Sequence, residues 1–157
     1  MDDLTLARAL HVVAIVVWIG GVAFVTMTLL PAFKRDSADE GWFAHFSAYE
    51  RRFAWVARAM VLVAGGSGFY LVVALDAWQR FGDAAYWWMH AMVIVWVIFT
   101  LMLFVLEPLV FDRLLAGMVR RNPARAHRLL TRLHWMLLAV SLIAAFGAAA
   151  GSHGAFL

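Results

Sequence analysis

Four long apolar stretches, separated by polar ones, make up most of this chain. They run from about Leu6 to Leu30, Phe53 to Leu75, Ala85 to Leu106 and Leu133 to Ala150. At 1.5 Å per residue each is about long enough to cross the hydrocarbon core of a bilayer. Backbone groups in lipid must be satisfied within their own segment, so the pattern predicts helices. Pro31 stops the first stretch and Glu107-Pro108 the third, since a proline disfavours the helical conformation in the residue before it. The connections differ in character. Lys34 to Arg52 is polar but holds Trp42, Phe43 and Phe46, a candidate short interfacial helix. Asp76 to Asp83 is brief. Asp112 to Arg132 is basic and contains the turn signal Asn122-Pro123. The expected fold class is all-α: one domain over residues 1–157, an integral membrane four-helix bundle.

Composition agrees. Hydrophobic residues are 65% of the chain and mean hydropathy is +0.82, where a soluble domain is about 45–50% apolar. The absence of cysteine excludes thiolate-held iron–sulfur clusters, c-type haem attachment and disulfides. The start, Met1-Asp2-Asp3, is acidic and its apolar run is too long for a signal peptide, so the first stretch is expected to remain as a span.

A pI near 10 suggests nucleic acid until the charges are located. Lys34, Arg35, Arg51, Arg52 and Arg58 cluster around the first connection. Arg113, Arg120, Arg121, Arg125, Arg128 and Arg132 occupy the third. That is eleven of the thirteen basic residues, leaving only Arg8 and Arg80 elsewhere. This is a topology signal. The positive-inside rule puts these two connections in the cytoplasm and both termini on the non-cytoplasmic side. The expected location is a bacterial-type inner (cytoplasmic) membrane, crossed four times, with the lipid bilayer as partner and no nucleic acid.

Ionisable groups inside spans are costly and need an account. His11 and His90 each sit about one and a half turns into spans one and three. Those spans run in the same direction, so the two imidazoles are expected at similar depth near the outer face. Two imidazoles on parallel helices suit one haem iron, copper or zinc. Trp18 follows His11 by seven residues on the same face, with Gly21 three further on. Gly65, Gly66 and Gly68 in span two leave room for a neighbouring helix or a flat macrocycle. Arg8, one turn outward, is placed to pair with a haem propionate. Each histidine taken alone has an equally good structural reading, as a hydrogen bond between helices. Near the other face Arg58, Glu107 and His134 share a depth and are expected to form a polar network, an Arg58–Glu107 ion pair with His134 bonding to either. A proton path or a carboxylate site is the functional alternative there. Met89 and Met92 flank His90, and thioethers bind Cu(I) as well as fill cores.

Ala9-Leu10-His11-Val12-Val13 followed by Val17-Trp18-Ile19-Gly20-Gly21 resembles the opening of the HemJ-type membrane protoporphyrinogen oxidases and the CopD-like copper-resistance membrane proteins. Glu50-Arg51-Arg52 is similar to the Glu-Arg-Arg ahead of span two in the HemJ type, and Trp88-Met89-His90-Ala91-Met92 to its Trp-Leu-His-Ala-Lys. The resemblance implies a four-helix bundle that binds b-type haem, with His11 and then His90 as axial ligands. Met92 stands where the HemJ type has the lysine its reaction is thought to need.

Four readings remain. The first is a haem b protein with His11 and His90 as ligands, moving electrons to or from a quinone or an external partner. Ligation by two imidazoles favours electron transfer and ligation by one favours oxygen or substrate chemistry, so whether it is an enzyme, a haem-dependent oxidoreductase, stays open. The second is a copper-handling protein using His11, His90 and Met89 or Met92. The third is a HemJ-like oxidase with another group in place of the lysine. The fourth is an accessory subunit without a cofactor. A homodimer is compatible with all four.

Overall fold

The structure, a computed structural model, describes residues 2–34 and 41–155, of which 108–113 by backbone alone. Arg35 and the side chain of Arg113, both part of the charge pattern, lie outside the described residues. Helix α1 spans Asp3–Ala32, α2 Gly41–Ala74, α3 Trp87–Leu101, α4 Asp112–Arg121 and α5 Pro123–Ser152. Among the described residues there are no strands. Four helices are long and apolar enough to cross a membrane: α1, α2, Ala84–Glu107 and α5. The chain is thus an all-α four-helix bundle, as its hydropathy predicts.

Local sequence explains where each helix starts and stops. Asp2 caps α1, its carboxylate accepting the Thr5 amide at 2.7 Å. A bond to the Thr5 side chain, together with that to its amide, holds the Asp2 carboxyl below the usual carboxylate range. Asn122 caps α5 by accepting the Arg125 amide at 2.9 Å, with Pro123 at the first helical position. Asp76, at φ 46°, takes the left-handed conformation just past the end of α2, which aspartate tolerates better than most residues. Two stretches widen to π-helical turns: Val25–Leu29 in α1, and Met102–Phe111, which continues α3.

The inward faces carry small residues at helical spacing. Ala7 and Ala14 on α1, Ala54, Ala57 and Ala64 on α2, and Ala144, Gly147 and Gly151 on α5 are buried, which lets helices approach closely in the absence of a hydrophobic drive between them. The outward faces are apolar as well. Val16 is 65% exposed and Phe146 73%, which only a lipid surround accommodates. The spans pack in chain order around the core, α1 on α2, α2 on α3, α3 on α5 and α5 on α1. Spans one and three are therefore diagonal. They meet across the core where Trp18 sets its ring edge-on to Phe99, centroids 4.8 Å apart.

The expected span limits need correction at one end. Helix α2 begins at Gly41, not near Phe53, and α5 at Pro123, not near Leu133. The aromatic segment after residue 40 is continuous with span two rather than a separate interfacial helix. At about 51 Å for 34 residues, α2 overshoots a hydrocarbon core of about 30 Å. The excess is stabilised by a second core. Trp42 and Phe46 of α2, Leu115 and Val119 of α4, and Ala126 and Leu130 of α5 pack there with Val25 and Leu30 of α1. The basic third connection is thus a helix–turn–helix whose apolar side is buried and whose Arg120, Arg121, Arg125, Arg128 and Arg132 are exposed.

Candidate functional site

His11 lies on the inner stripe of α1 between buried Ala7 and Ala14 and is half-buried. Its Nδ1 is 2.9 Å from the Ala64 carbonyl oxygen and 3.1 Å from Ser67 Oγ, both on α2. A carbonyl can only accept, so Nδ1 carries the hydrogen. The Ser67 hydroxyl donates to the Val63 carbonyl at 2.6 Å, which leaves its oxygen free to accept from His11 too. The neutral imidazole then holds its lone pair on Nε2. Gly68 makes room for the ring: a Cβ there would stand 3.0 Å from His11 Cε1. The glycine cluster of span two is therefore read in side-chain terms. Gly68 accommodates His11, and Gly65 accommodates Trp96, whose indole donates to the Val61 carbonyl at 2.9 Å. Gly66 opens onto unoccupied space.

His90 takes different company. It is exposed on α3, with its ring edge-on to Phe81 of the loop between spans two and three, centroids 5.3 Å apart. The structure thus ties His11 to span two and His90 to that loop. Met89 and Met92 do not join His90 either. Met89 is buried and Met92 packs against the core, whereas His90 is exposed. Arg8 is exposed one turn from His11. Trp18 is only 3% exposed and belongs to the core, yet its indole N–H has no hydrogen-bond partner. Among the described residues no group of three or more His, Asp or Glu side chains converges as a metal site would require from those ligands alone.

The polar network at the opposite end is present as an ion pair. Arg58 Nη2 is 3.3 Å from Glu107 Oε1, and the guanidinium lies over the Trp55 ring at 5.0 Å. Arg58 Nε also donates to the Leu103 carbonyl at 3.0 Å. That second bond has a cause in the sequence. In a π-helical turn the Leu103 carbonyl looks to the amide five residues on, and residue 108 is proline, which has none. Arg58 supplies the missing donor, and Glu107 balances the charge brought with it. His134 turns to its own helix instead, its Nδ1 donating to the Leu130 carbonyl at 3.0 Å with the ring edge-on to Phe46. Position four residues before a histidine puts a helical carbonyl within reach of Nδ1, so the expected bond to Arg58 or Glu107 is replaced by a local one.

His127, near the start of α5, is a buried node. Its Nε2 donates to the Leu30 carbonyl at 2.9 Å and its ring meets Trp42 at 5.2 Å. The Lys34 amide bonds to Pro31 instead of Leu30 as α1 ends, so His127 satisfies a helix-end carbonyl from another helix. The one available signal was its spacing to Leu130 and Ala126 on an apolar stripe. His45 and His153 bond to carbonyls of their own helices, at Gly41 and Ala149.

Comparison with known families, curated proteins and solved structures finds no match to this chain.

Proposed function

We propose that this is a membrane-integral haem b protein in which His11 supplies an axial ligand through Nε2, serving oxidoreduction near the outer face of a bacterial-type inner membrane. The observation that carries the reading is the fixed tautomer of His11. An imidazole whose Nδ1–H is committed to a backbone carbonyl, with Nε2 left as the lone-pair nitrogen, is how proteins commonly prepare a metal-binding histidine. Three features support it: the ring is only half-buried, Trp18 on the same helix face keeps an unspent buried N–H, and Arg8 stands exposed one turn outward to meet a propionate. The likeness of span one to the HemJ and CopD groups points the same way. His90, exposed and facing Phe81, is the weaker candidate for a second ligand. With His11 as its one protein ligand the haem would suit oxygen or substrate chemistry, and with a second imidazole it would suit electron transfer to a quinone or an external redox partner. The copper reading loses ground because His90 and the two methionine thioethers face different ways.

The variants separate the ligands. With haem-replete expression, His11→Ala is expected to abolish bound haem while His90→Ala retains it, measured as haem per protein after purification. Ser67→Ala is expected to keep the haem and shift its midpoint potential, because the hydroxyl acts on the ligand and not on the metal. Retention in His11→Ala with loss in His90→Ala would reverse the assignment.

A further inference from the structure

A groove of about 270 Å³ runs between α1 and α2 at the arginine-rich end of the bundle. Its walls are Phe24, Val25 and Leu29 on α1, and Phe53 and Val56 with Tyr49 and Arg52 on α2. The order of these residues along the two helices matters. Tyr49 and Arg52 on α2 and Leu29 on α1 lie nearer the arginine-rich end. Phe53, Val56, Val25 and Phe24 lie progressively deeper along the spans. The groove's surface is almost wholly apolar, and Arg52 and Tyr49 stand at its arginine-rich end.

We infer that this groove binds an anionic phospholipid, its phosphate held by Arg52 and Tyr49 and one acyl chain laid along Phe53, Val56 and Phe24. A guanidinium fork matches a phosphate with two parallel hydrogen bonds, and a phenol adds a third donor. Arg52 forms no ion pair among the described residues. Arg52 and Tyr49 are both exposed. The packing around the groove keeps it open. Phe53 is drawn inward against Gly21, where a Cβ would overlap its ring, and the π-helical turn Val25–Leu29 forms the other wall. Basic pockets between spans at a membrane surface are recognised sites for anionic headgroups. A free phosphate shares the headgroup's chemistry but has no use for the apolar length, which is what separates the two sources.

The test uses the full chain in detergent, stripped of lipid, with its melting temperature measured against added phosphatidylglycerol, phosphatidylcholine or inorganic phosphate. Phosphatidylglycerol is expected to raise the melting temperature in a saturable way, and the other two are not. Arg52→Ala is expected to weaken that response by roughly fivefold in apparent affinity. Arg128→Ala, which removes an exposed charge outside the groove, is expected to leave it unchanged. Val56→Trp, which fills the groove and keeps every charge, is expected to abolish it. An equal response to phosphatidylcholine or phosphate overturns the inference, as does an equal loss in Arg52→Ala and Arg128→Ala. No response to any lipid overturns it too.

Discussion

At the scale of single residues, the bundle is tied together by side-chain N–H groups donating to backbone carbonyls on other helices. His11 reaches Ala64, Trp96 reaches Val61, Arg58 reaches Leu103 and His127 reaches Leu30. Two of the four acceptors are carbonyls left without their usual helical donor, one by a proline and one by a helix end. In lipid such orphans are costly because no water can take the donor's place. Arg58→Leu is therefore expected to destabilise the bundle by about 1–3 kcal/mol, since it removes the donor to the Leu103 carbonyl and the Arg58–Glu107 ion pair. Reversible unfolding in mixed micelles would measure it. A double-mutant cycle isolates the proline's share. Arg58→Lys keeps the charge but not the planar fork, and its cost is expected to shrink by about 1 kcal/mol when Pro108→Ala restores an amide at that position. Equal costs in both backgrounds would show that the two residues are unrelated.

At the scale of helices, the four spans were legible because hydropathy needs only an average over many residues. The extra turns of α2 and α5 were not. Arg51, Arg52, Arg125 and Arg128 lower that average, although Trp42, Phe46, Ala126 and Leu130 on the same helices are buried. A one-sided helix outside the membrane looks polar to a sum and apolar only to a face. The facing of His90 was not legible for a related reason. Depth along a span follows from counting residues, whereas facing turns through about 100° per residue, and the neighbours Trp88 and Met89 took the inward positions. The Arg58–Glu107 pair was readable because two opposite charges at one depth in lipid have few other solutions. Ser67 as the partner of His11 was not, because a serine in a span normally bonds its own helix, as this one also does. The contact of α3 with α5 rests on glycine in a way that can be checked. Gly151 accommodates the Trp88 indole, and a Cβ there would overlap it. Gly151→Ala is expected to cost about 1–3 kcal/mol. Gly66→Ala, which adds a methyl group into open space, is expected to cost little. The difference between their unfolding midpoints is the measurement.

At the scale of the whole molecule, two cores are stacked along one bundle. The membrane core holds Trp18, Val61, Phe99 and Leu138. The second, at the arginine-rich end, holds Trp42, Phe46, Leu115 and Leu130. Haem binding is proposed at the end away from the arginines and lipid binding at the arginine-rich end, so each can be tested without disturbing the other. The proposed orientation has a clean assay because the chain contains no cysteine. A single cysteine placed by His45→Cys is expected to resist a membrane-impermeant maleimide in intact cells, and one placed by Ser152→Cys to react. The reverse pattern would invert the bundle and put His11 near the inner face. The account's central claim is that His11 serves a haem, and the reduced-minus-oxidised absorption spectrum of the purified protein from haem-replete cells tests it most directly. A Soret band with the sharp visible bands of reduced b-type haem is the predicted result, and a featureless difference spectrum would contradict it.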